Sequence, residues 1–344
     1  LAGGFVVAEG IRLAVVGATG AVGQEMLKVL EERNFNVKEI LCLADPREAG
    51  TKLKFKGETV VVKPVDAEAF KQSDMALFAV SSEISQQLAP LATENDCVVI
   101  DNSYAYRLVD GVPLVVPEVN PQDIKTHKGI IANPNCSTII MVVAINPIHL
   151  AAGIRRVVVS TYQAVSGAGK AGLDELEASA RAYFEQREMA PEVFQYPIAF
   201  NLIPHIDVFV DENYTREEMK MVWETRKIMH APDLMISPTA VRVPVFRSHS
   251  ESINLETERQ LGVEEVKQIL AAAPGVIVQD DPQAKIYPMP LYTSNKDEVF
   301  VGRIRRDIST LNGLNLWVAA DQIRKGAATN AIQIAEIVAA ENLY

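Results

Sequence analysis

One cysteine stands where a thiol could do chemistry. Cys136 lies in the polar turn Asn133-Pro134-Asn135-Cys136-Ser137-Thr138, which runs at once into the apolar stretch Ile139-Ile140-Met141-Val142-Val143-Ala144. A Pro-containing turn that opens a buried helix sets the thiol among backbone N–H groups without intrahelical partners, at the positive end of the helix dipole. Both favour the thiolate, the nucleophilic form, and point to covalent catalysis. The alternative is a small apolar filler at a helix start. Cys42 and Cys97 fall in apolar, strand-like runs and are expected to be core residues.

A second pattern binds rather than reacts. Gly17-Ala18-Thr19-Gly20-Ala21-Val22-Gly23 follows the apolar run 11–16 and precedes a helical pattern through Met26, Leu27, Val29 and Leu30. Between a strand and a helix, a G-x-x-G-x-x-G turn lets the backbone approach a dinucleotide pyrophosphate, and the helix N-terminus supplies N–H donors. Gly17, Thr19, Gly20, Ala21, Val22 and Gly23 are therefore cofactor candidates. The next apolar run, 39–44, ends at Asp45-Pro46-Arg47, where such a unit meets the adenosine ribose. An acidic side chain there accepts from the ribose hydroxyls of NAD, and an arginine pairs with the 2′-phosphate of NADP. Both residue types are present, and a solvated turn with a compensating ion pair is the alternative.

These residues need elements to position them. Strand-like runs at 75–80 and 97–100 flank a helical pattern over 85–94 and end in Ser81-Ser82 and Asp101-Asn102-Ser103. The carboxyl ends of strands in an open parallel sheet line the ligand crevice, which makes Ser81 a cofactor candidate. A further strand at 129–132 leads into the cysteine turn and brings Cys136 beside the expected nicotinamide. Beyond residue 150 the pattern changes: a β-branched strand at 154–162, a loop at 163–170, a helix at 173–188, later strands at 239–246, 250–257, 298–305 and 314–320, and helices near 215–229 and 263–272. The reading is an α/β chain: a Rossmann-type dinucleotide-binding domain over 11–134 and an α+β catalytic and dimerisation domain over 135–320. A last helix from 321 to about 341 is apolar nearly all round, and the segment 321–344 is expected to pack back on the first domain.

With 344 residues, 48% hydrophobic and 22% charged, the chain can bury two cores. A formal charge of −11 argues against nucleic-acid or anionic-membrane partners, which need clustered positive surface. Three scattered cysteines make no disulfide framework and fit a reducing cytoplasm, and no metal is expected. Residues 1–10 are weakly apolar without a basic region, and no run of about 18 apolar residues occurs, so neither a signal peptide nor a membrane span is expected. The leader lacks an initiator Met, read as processing or as an added remnant, and is set aside.

Four stretches together resemble one known family. They are Gly17 to Gly23, Asn133 to Thr138, Ser160-Thr161-Tyr162-Gln163-Ala164-Val165-Ser166-Gly167-Ala168-Gly169, and Arg242-Val243-Pro244-Val245-Phe246-Arg247-Ser248-His249-Ser250. Their order and content are similar to aspartate-β-semialdehyde dehydrogenase from about residue 11 to the C-terminus. The resemblance implies a glyceraldehyde-3-phosphate dehydrogenase-like C-terminal domain, and a homodimer or dimer of dimers. It implies reduction of β-aspartyl phosphate by NADPH with release of phosphate, a step toward lysine, methionine and threonine. Cys136 would form the thioester and His249 would be the acid/base group. Arg107 and Lys220 would hold the phosphate, Arg242 the carboxylate, and Glu217 and Gln163 the amine and the thioester. Asn135 would help position the thiol or the oxyanion. Ser166 and Gly167 would approach the nicotinamide, and Asn330 its amide. Glu217 and Lys220, three apart, share a helix face, with an exposed ion pair as the alternative.

Many family members carry a serine where this chain has Asp45, ahead of an arginine matched by Arg47. A carboxylate repels a 2′-phosphate, so NADP is expected as the preferred cofactor with appreciable use of NAD. Two competing readings are N-acetylglutamyl-phosphate reductase and a non-catalytic dinucleotide-binding protein. Ser137-Thr138 favours the aspartyl substrate, and intact Cys136, Gln163, Arg242 and His249 favour an enzyme.

Overall fold

A computed structural model describes residues 10–344, so the expectations for the leader lie outside the described residues, Gly10 apart. The chain divides into two compact units. The first comprises residues up to Pro113, Gln122–Asn133 and Ala331–Tyr344; the second comprises Leu114–Pro121 and Pro134–Asn330. Among the described residues no helix is long and apolar enough to cross a membrane.

The first unit opens with β1 (Ile11–Val16), α1 (Ala21–Glu32) and β2 (Val37–Ala44). A hairpin that the sequence pattern did not reveal follows, β3 (Lys52–Phe55) and β4 (Glu58–Val61), then β5 (Lys63–Pro64) and α2 (Ala67–Lys71). The strands β6 (Met75–Phe78), β7 (Val98–Asp101) and β8 (Ile130–Ala132), with α3 (Ser82–Thr93) between the first two, complete it. The six-stranded sheet is parallel, in the order β5-β2-β1-β6-β7-β8. Its winding reverses between β1 and β6, the place where open α/β sheets leave a crevice at the strand ends. Val16, Leu43, Phe70, Phe78 and Val99 pack together on the sheet. Continuous apolar strands are what a sheet covered on both faces requires.

The second unit starts with α4 (Cys136–Ala152), of whose 17 residues twelve are buried. It has no polar face, as a helix inside a core must not. Then come β9 (Ile154–Gln163), α5 (Gly169–Phe184), α6 (Arg216–Ile228), β10 (Met235–Arg242), β11 (His249–Thr257), α7 (Val263–Ala271), β12 (Val276–Val278), α8 (Pro290–Thr293), β13 (Val299–Arg306) and β14 (Gly313–Ala320). The sheet order is β10-β9-β11-β14-β13-β12, with parallel outer pairs and antiparallel inner ones, so the sheet is mixed. Along β11 the residues 249, 251, 253, 255 and 257 are buried, while 252, 254 and 256 are only half-buried, so His249 points into the core side.

Several boundaries differ from the sequence reading: the strand expected at 239–246 is β10, which ends at Arg242, and the helix expected at 173–188 is α5, which ends at Phe184. The segment 163–170 is not a plain loop: β9 runs to Gln163, a 3-10 turn spans Val165–Ala168, and α5 begins at Gly169. The terminal helix is π-helical over Arg324–Ala328 before α9 (Thr329–Ala340), a local widening that apolar periodicity does not signal.

Candidate active site

Three neighbouring strands deliver side chains to one end of the mixed sheet. Gln163 at the end of β9 is the register partner of Arg242 at the end of β10, and Ser250, one residue into β11, pairs with Tyr162. Gln163, Arg242 and His249 are thereby brought together although up to 86 residues separate them in sequence. Cys136 arrives from α4, whose first residue it is. Its Sγ lies 3.6 Å from Nε2 of His249. On the other side of the ring, Nδ1 accepts from the Ala164 main-chain N–H at 3.0 Å. The Ala164 carbonyl accepts from Arg242 Nη1 at 2.7 Å, and the Arg242 guanidinium lies over the Phe194 ring. His249 is fully buried. Burial first, and the Arg242 charge second, push it down to about 3 against the opposing pull of Glu217.

Asn135 caps α4: its Oδ1 accepts from the N–H groups of Ser137 and Thr138 at 3.0 and 3.2 Å. The sequence reading left those first-turn donors without partners; the cap takes two of them. The Asn135 main-chain N–H donates to Glu224 at 2.6 Å, and its Nδ2 donates to Glu217 Oε1 at 3.0 Å. The same Glu217 oxygen accepts from Gln163 Nε2 at 3.1 Å, while Oε2 accepts from Lys220 at 3.0 Å. Burial alone would raise the Glu217 carboxyl; the Lys220 charge and the three donors outweigh it and hold the group at about 2. Glu217 and Lys220 share a face of α6, and the pair is buried rather than exposed. Lys220 also donates to Asp207 at 2.9 Å, an acidic partner that sequence spacing did not suggest.

In the first unit, Gly17 has φ +82°, and a Cβ there would fall 2.3 Å from the Ala79 carbonyl oxygen. At Gly23 a Cβ would fall 2.2 Å from the carbonyl oxygen of Gly17. Only glycine fits either place. The N-cap of α1 is Gly20, which supplies no side-chain cap, so the start of the helix beside Ala21 and Val22 is open to an anion. These features fit a dinucleotide pyrophosphate. Thr19 Oγ1 donates to Glu48 at 2.8 Å, and Ser81 caps α3. Arg47 grips Asp45 through Nε and Nη2 at 2.8 and 3.1 Å, the compensating pair anticipated as an alternative. Hydrogen bonds from Arg47 hold Asp45 down at about 2. Arg107 is buried and donates to the carbonyls of Asn133 and Asn102 at 2.9 and 2.8 Å.

The remaining residues belong to the second unit. A Cβ on Gly167 would come within 3.6 Å of the His249 ring, so this glycine lies against the site. Ser166 accepts from Gln322 Nε2, whose Oε1 accepts from the Ser248 main-chain N–H at 2.8 Å. Ser248 has φ +76°, a rare conformation for a non-glycine residue, immediately before His249. Asn330 donates to the Val115 carbonyl at 3.0 Å and accepts from Lys325 at 2.9 Å. Gly326, in the π-helical turn, approaches Cys136 so closely that a Cβ on it would lie 2.8 Å from the Cys136 Cβ. Gln322, Gly326 and Glu224 carry no local signature in the sequence, and Ser248 lies in the stretch 242–250 without a role assigned to it there. Cys42 and Cys97 are buried core thiols, which burial pushes up to about 11 and about 12.

Comparison with known proteins fits this arrangement. Residues 12–127 match the family profile described as semialdehyde dehydrogenase, NAD binding domain, and residues 145–325 match the semialdehyde dehydrogenase, dimerisation domain. An aspartate-semialdehyde dehydrogenase of Aquifex aeolicus is 55% identical over 338 residues, covering 97% of this chain and 99% of the relative. A crystal structure of aspartate semialdehyde dehydrogenase II from Vibrio cholerae, complexed with ASA, superposes with a TM-score of 0.95 at 47% identity, covering 97% of this chain and 99% of that one. The enzyme of Candida albicans, solved with NADP, superposes at 0.75 and 27% identity, with 97% and 100% covered. The chain is therefore an oxidoreductase with a nicotinamide dinucleotide as cofactor, and it belongs to the aspartate-semialdehyde dehydrogenase family.

Proposed function

We propose that the protein catalyses the reversible, NADP-dependent reductive dephosphorylation of β-aspartyl phosphate to aspartate β-semialdehyde through a thioester on Cys136. This is a step toward lysine, threonine and methionine, and the protein works in the cytoplasm as a homodimer or dimer of dimers. The observation that carries the reading is the 3.6 Å approach of Cys136 Sγ to His249 Nε2 at the start of α4. Sulfur attacks the acyl carbon, and phosphate leaves with the electrons of the broken C–O bond. Gln163, anchored on Glu217 beside Asn135, orients the acyl group. Glu217 takes the substrate amine, Arg242 the carboxylate through its planar fork, and Arg107 and Lys220 the phosphate. Phosphate at Lys220 competes with Asp207 for the ammonium.

When bound, the dinucleotide supplies or accepts the hydride. Gly17, Thr19, Gly20, Ala21, Val22, Gly23 and Ser81 are assigned to its pyrophosphate side. Ser166, Gly167 and Asn330 are assigned to its nicotinamide. The Asp45–Arg47 pair must open for Arg47 to meet a 2′-phosphate, a cost that supports appreciable use of NAD beside the preferred NADP. Phosphate-dependent reduction of NADP and of NAD by aspartate semialdehyde, on wild type and Cys136→Ala, tests the reading. Cys136→Ala should lose at least about a thousandfold in kcat. Activity surviving that substitution would sink the thioester route, and a ratio of about a thousand or more between the cofactors would rule out dual use.

A further inference from the structure

Ala164 is held through both of its main-chain polar groups, which lie in successive peptide units, by His249 and Arg242. The Ala164 N–H donates to Nδ1 of His249, and the Ala164 carbonyl accepts from Arg242. A main-chain amide nitrogen can only donate, so the ring atom facing it presents a lone pair. A neutral imidazole with a bare Nδ1 carries its proton on Nε2, the atom that faces Cys136 Sγ. An imidazolium would set N–H against N–H at Ala164 and a second positive charge beside Arg242.

We propose that His249 works as a neutral hydrogen-bond donor through Nε2–H, with the Ala164 peptide as the positioning group that fixes this tautomer and Arg242 as the cation that balances the Cys136 thiolate. The proposal deepens the thioester reading and rests on it. Of the charged and titratable groups around the ring, Arg242 favours the neutral form and Glu217 pulls the other way. Arg242 faces it from β10, Glu217 from α6 and Cys136 from α4. Lys325, from the turn packed against Cys136, is tied to Glu118 at 2.5 Å and to Asn330 at 2.9 Å. Glu251, two residues along β11, is a fully buried carboxyl that burial raises well above its ordinary range. Burial and Arg242 push His249 itself down to about 3, which leaves it neutral at any working pH.

The chemistry closes without a proton from the ring. The S–C bond forms as the C–O bond to phosphate breaks, and the departing phosphate takes its proton from water. Once the hydride is on the former carbonyl carbon, the oxyanion restores C=O, the C–S bond breaks, and sulfur leaves with the pair as a thiolate. Nε2–H stabilises, in turn, the thiolate and the oxyanion. A backbone N–H that lowers an imidazole pKa and turns the ring into a neutral electrophile is an established device in enzymes.

The test is NMR of full-length enzyme carrying nitrogen-15 histidine, titrated from about pH 5 to about pH 9, the span in which an ordinary imidazole changes charge. The His249 signals are assigned by their loss in His249→Gln. The expected result is a bare Nδ1 and a protonated Nε2 across the whole range. A midpoint between about 5.5 and about 8, or a proton on Nδ1, overturns the proposal. The glutamine of His249→Gln keeps an N–H donor but no titrating group, so it should turn over at least about tenfold faster than His249→Ala; equal losses also overturn it. The tautomer is read whether or not aspartate semialdehyde is turned over. A failure of the proposed reaction thus appears as an inactive wild type with the spectrum as expected, and a failure of this inference appears in the spectrum or in equal losses by the two variants against an active wild type.

Discussion

Replacing Glu217 by glutamine should unfold the second unit early, by an amount that can be worked out atom by atom. One oxygen of Glu217 accepts from Asn135 and Gln163, and the other accepts from Lys220. An amide offers one acceptor and one donor. With its oxygen toward Asn135 and Gln163, its NH2 meets the Lys220 ammonium; turned over, it meets two amide donors. Breaking a buried ion pair costs about 3–5 kcal/mol. Lys220 keeps Asp207 at 2.9 Å, so the expected loss is at the lower end, about 2–4 kcal/mol. Linkage gives a similar figure: a carboxyl held at about 2 against an ordinary 4.5 contributes about 3 kcal/mol at neutral pH.

For a unit of roughly 200 residues this is a fall in Tm of about 4–16 °C, readable by calorimetry or by urea unfolding at pH 7. The pH dependence has a definite sign. The folded pKa of Glu217 is depressed, so its contribution is complete above about 4.5 and disappears as pH falls toward about 2. Wild type and Glu217→Gln should therefore converge on acidification. A drop smaller than about 2 °C at pH 7, or a gap that stays constant down to about pH 3, would refute the account.

Asp45→Ser releases the Arg47 guanidinium from its bidentate partner, and the ratio of kcat/KM for NADP over NAD should rise by at least about fivefold; an unchanged ratio would remove Arg47 from 2′-phosphate recognition. Gly326→Ala places a methyl group 2.8 Å from the Cys136 Cβ, so kcat should fall by about a hundredfold and Tm should fall with it; full activity would show that the turn yields instead of the thiol.

Local patterns carried much of this fold. Val16 followed by a glycine turn and a helix is visible from neighbours in sequence, and so is a cysteine delivered by a strand to a helix start. The strands of the second sheet were legible too, because β-branched alternation marks strands such as β9 and β11 whatever their partners, while the choice between a mixed and an antiparallel sheet was left open. What local patterns missed are features that exist only through distant contacts. Glu224 reaches the Asn135 N–H across 89 residues, and Gln322 joins Ser166 to Ser248 across 156 and 74. The Ala164 peptide was invisible for another reason: a main-chain group acts there, and a residue letter says nothing about its backbone. The π-helical turn at Arg324–Ala328 departs from the 3.6-residue period by one residue per turn, too little to show in a run that is apolar throughout.

The burial of α4 on nearly every side has a further consequence. Its first residue is the nucleophile, and the rest of the helix is the interior of the unit. There is no hinge between the reagent and the core, so the thiol inherits the rigidity of the whole interior. Heat inactivation and core melting should then be a single event. For the same reason, improving the catalyst by altering the buried positions of this helix is coupled to whether the protein folds.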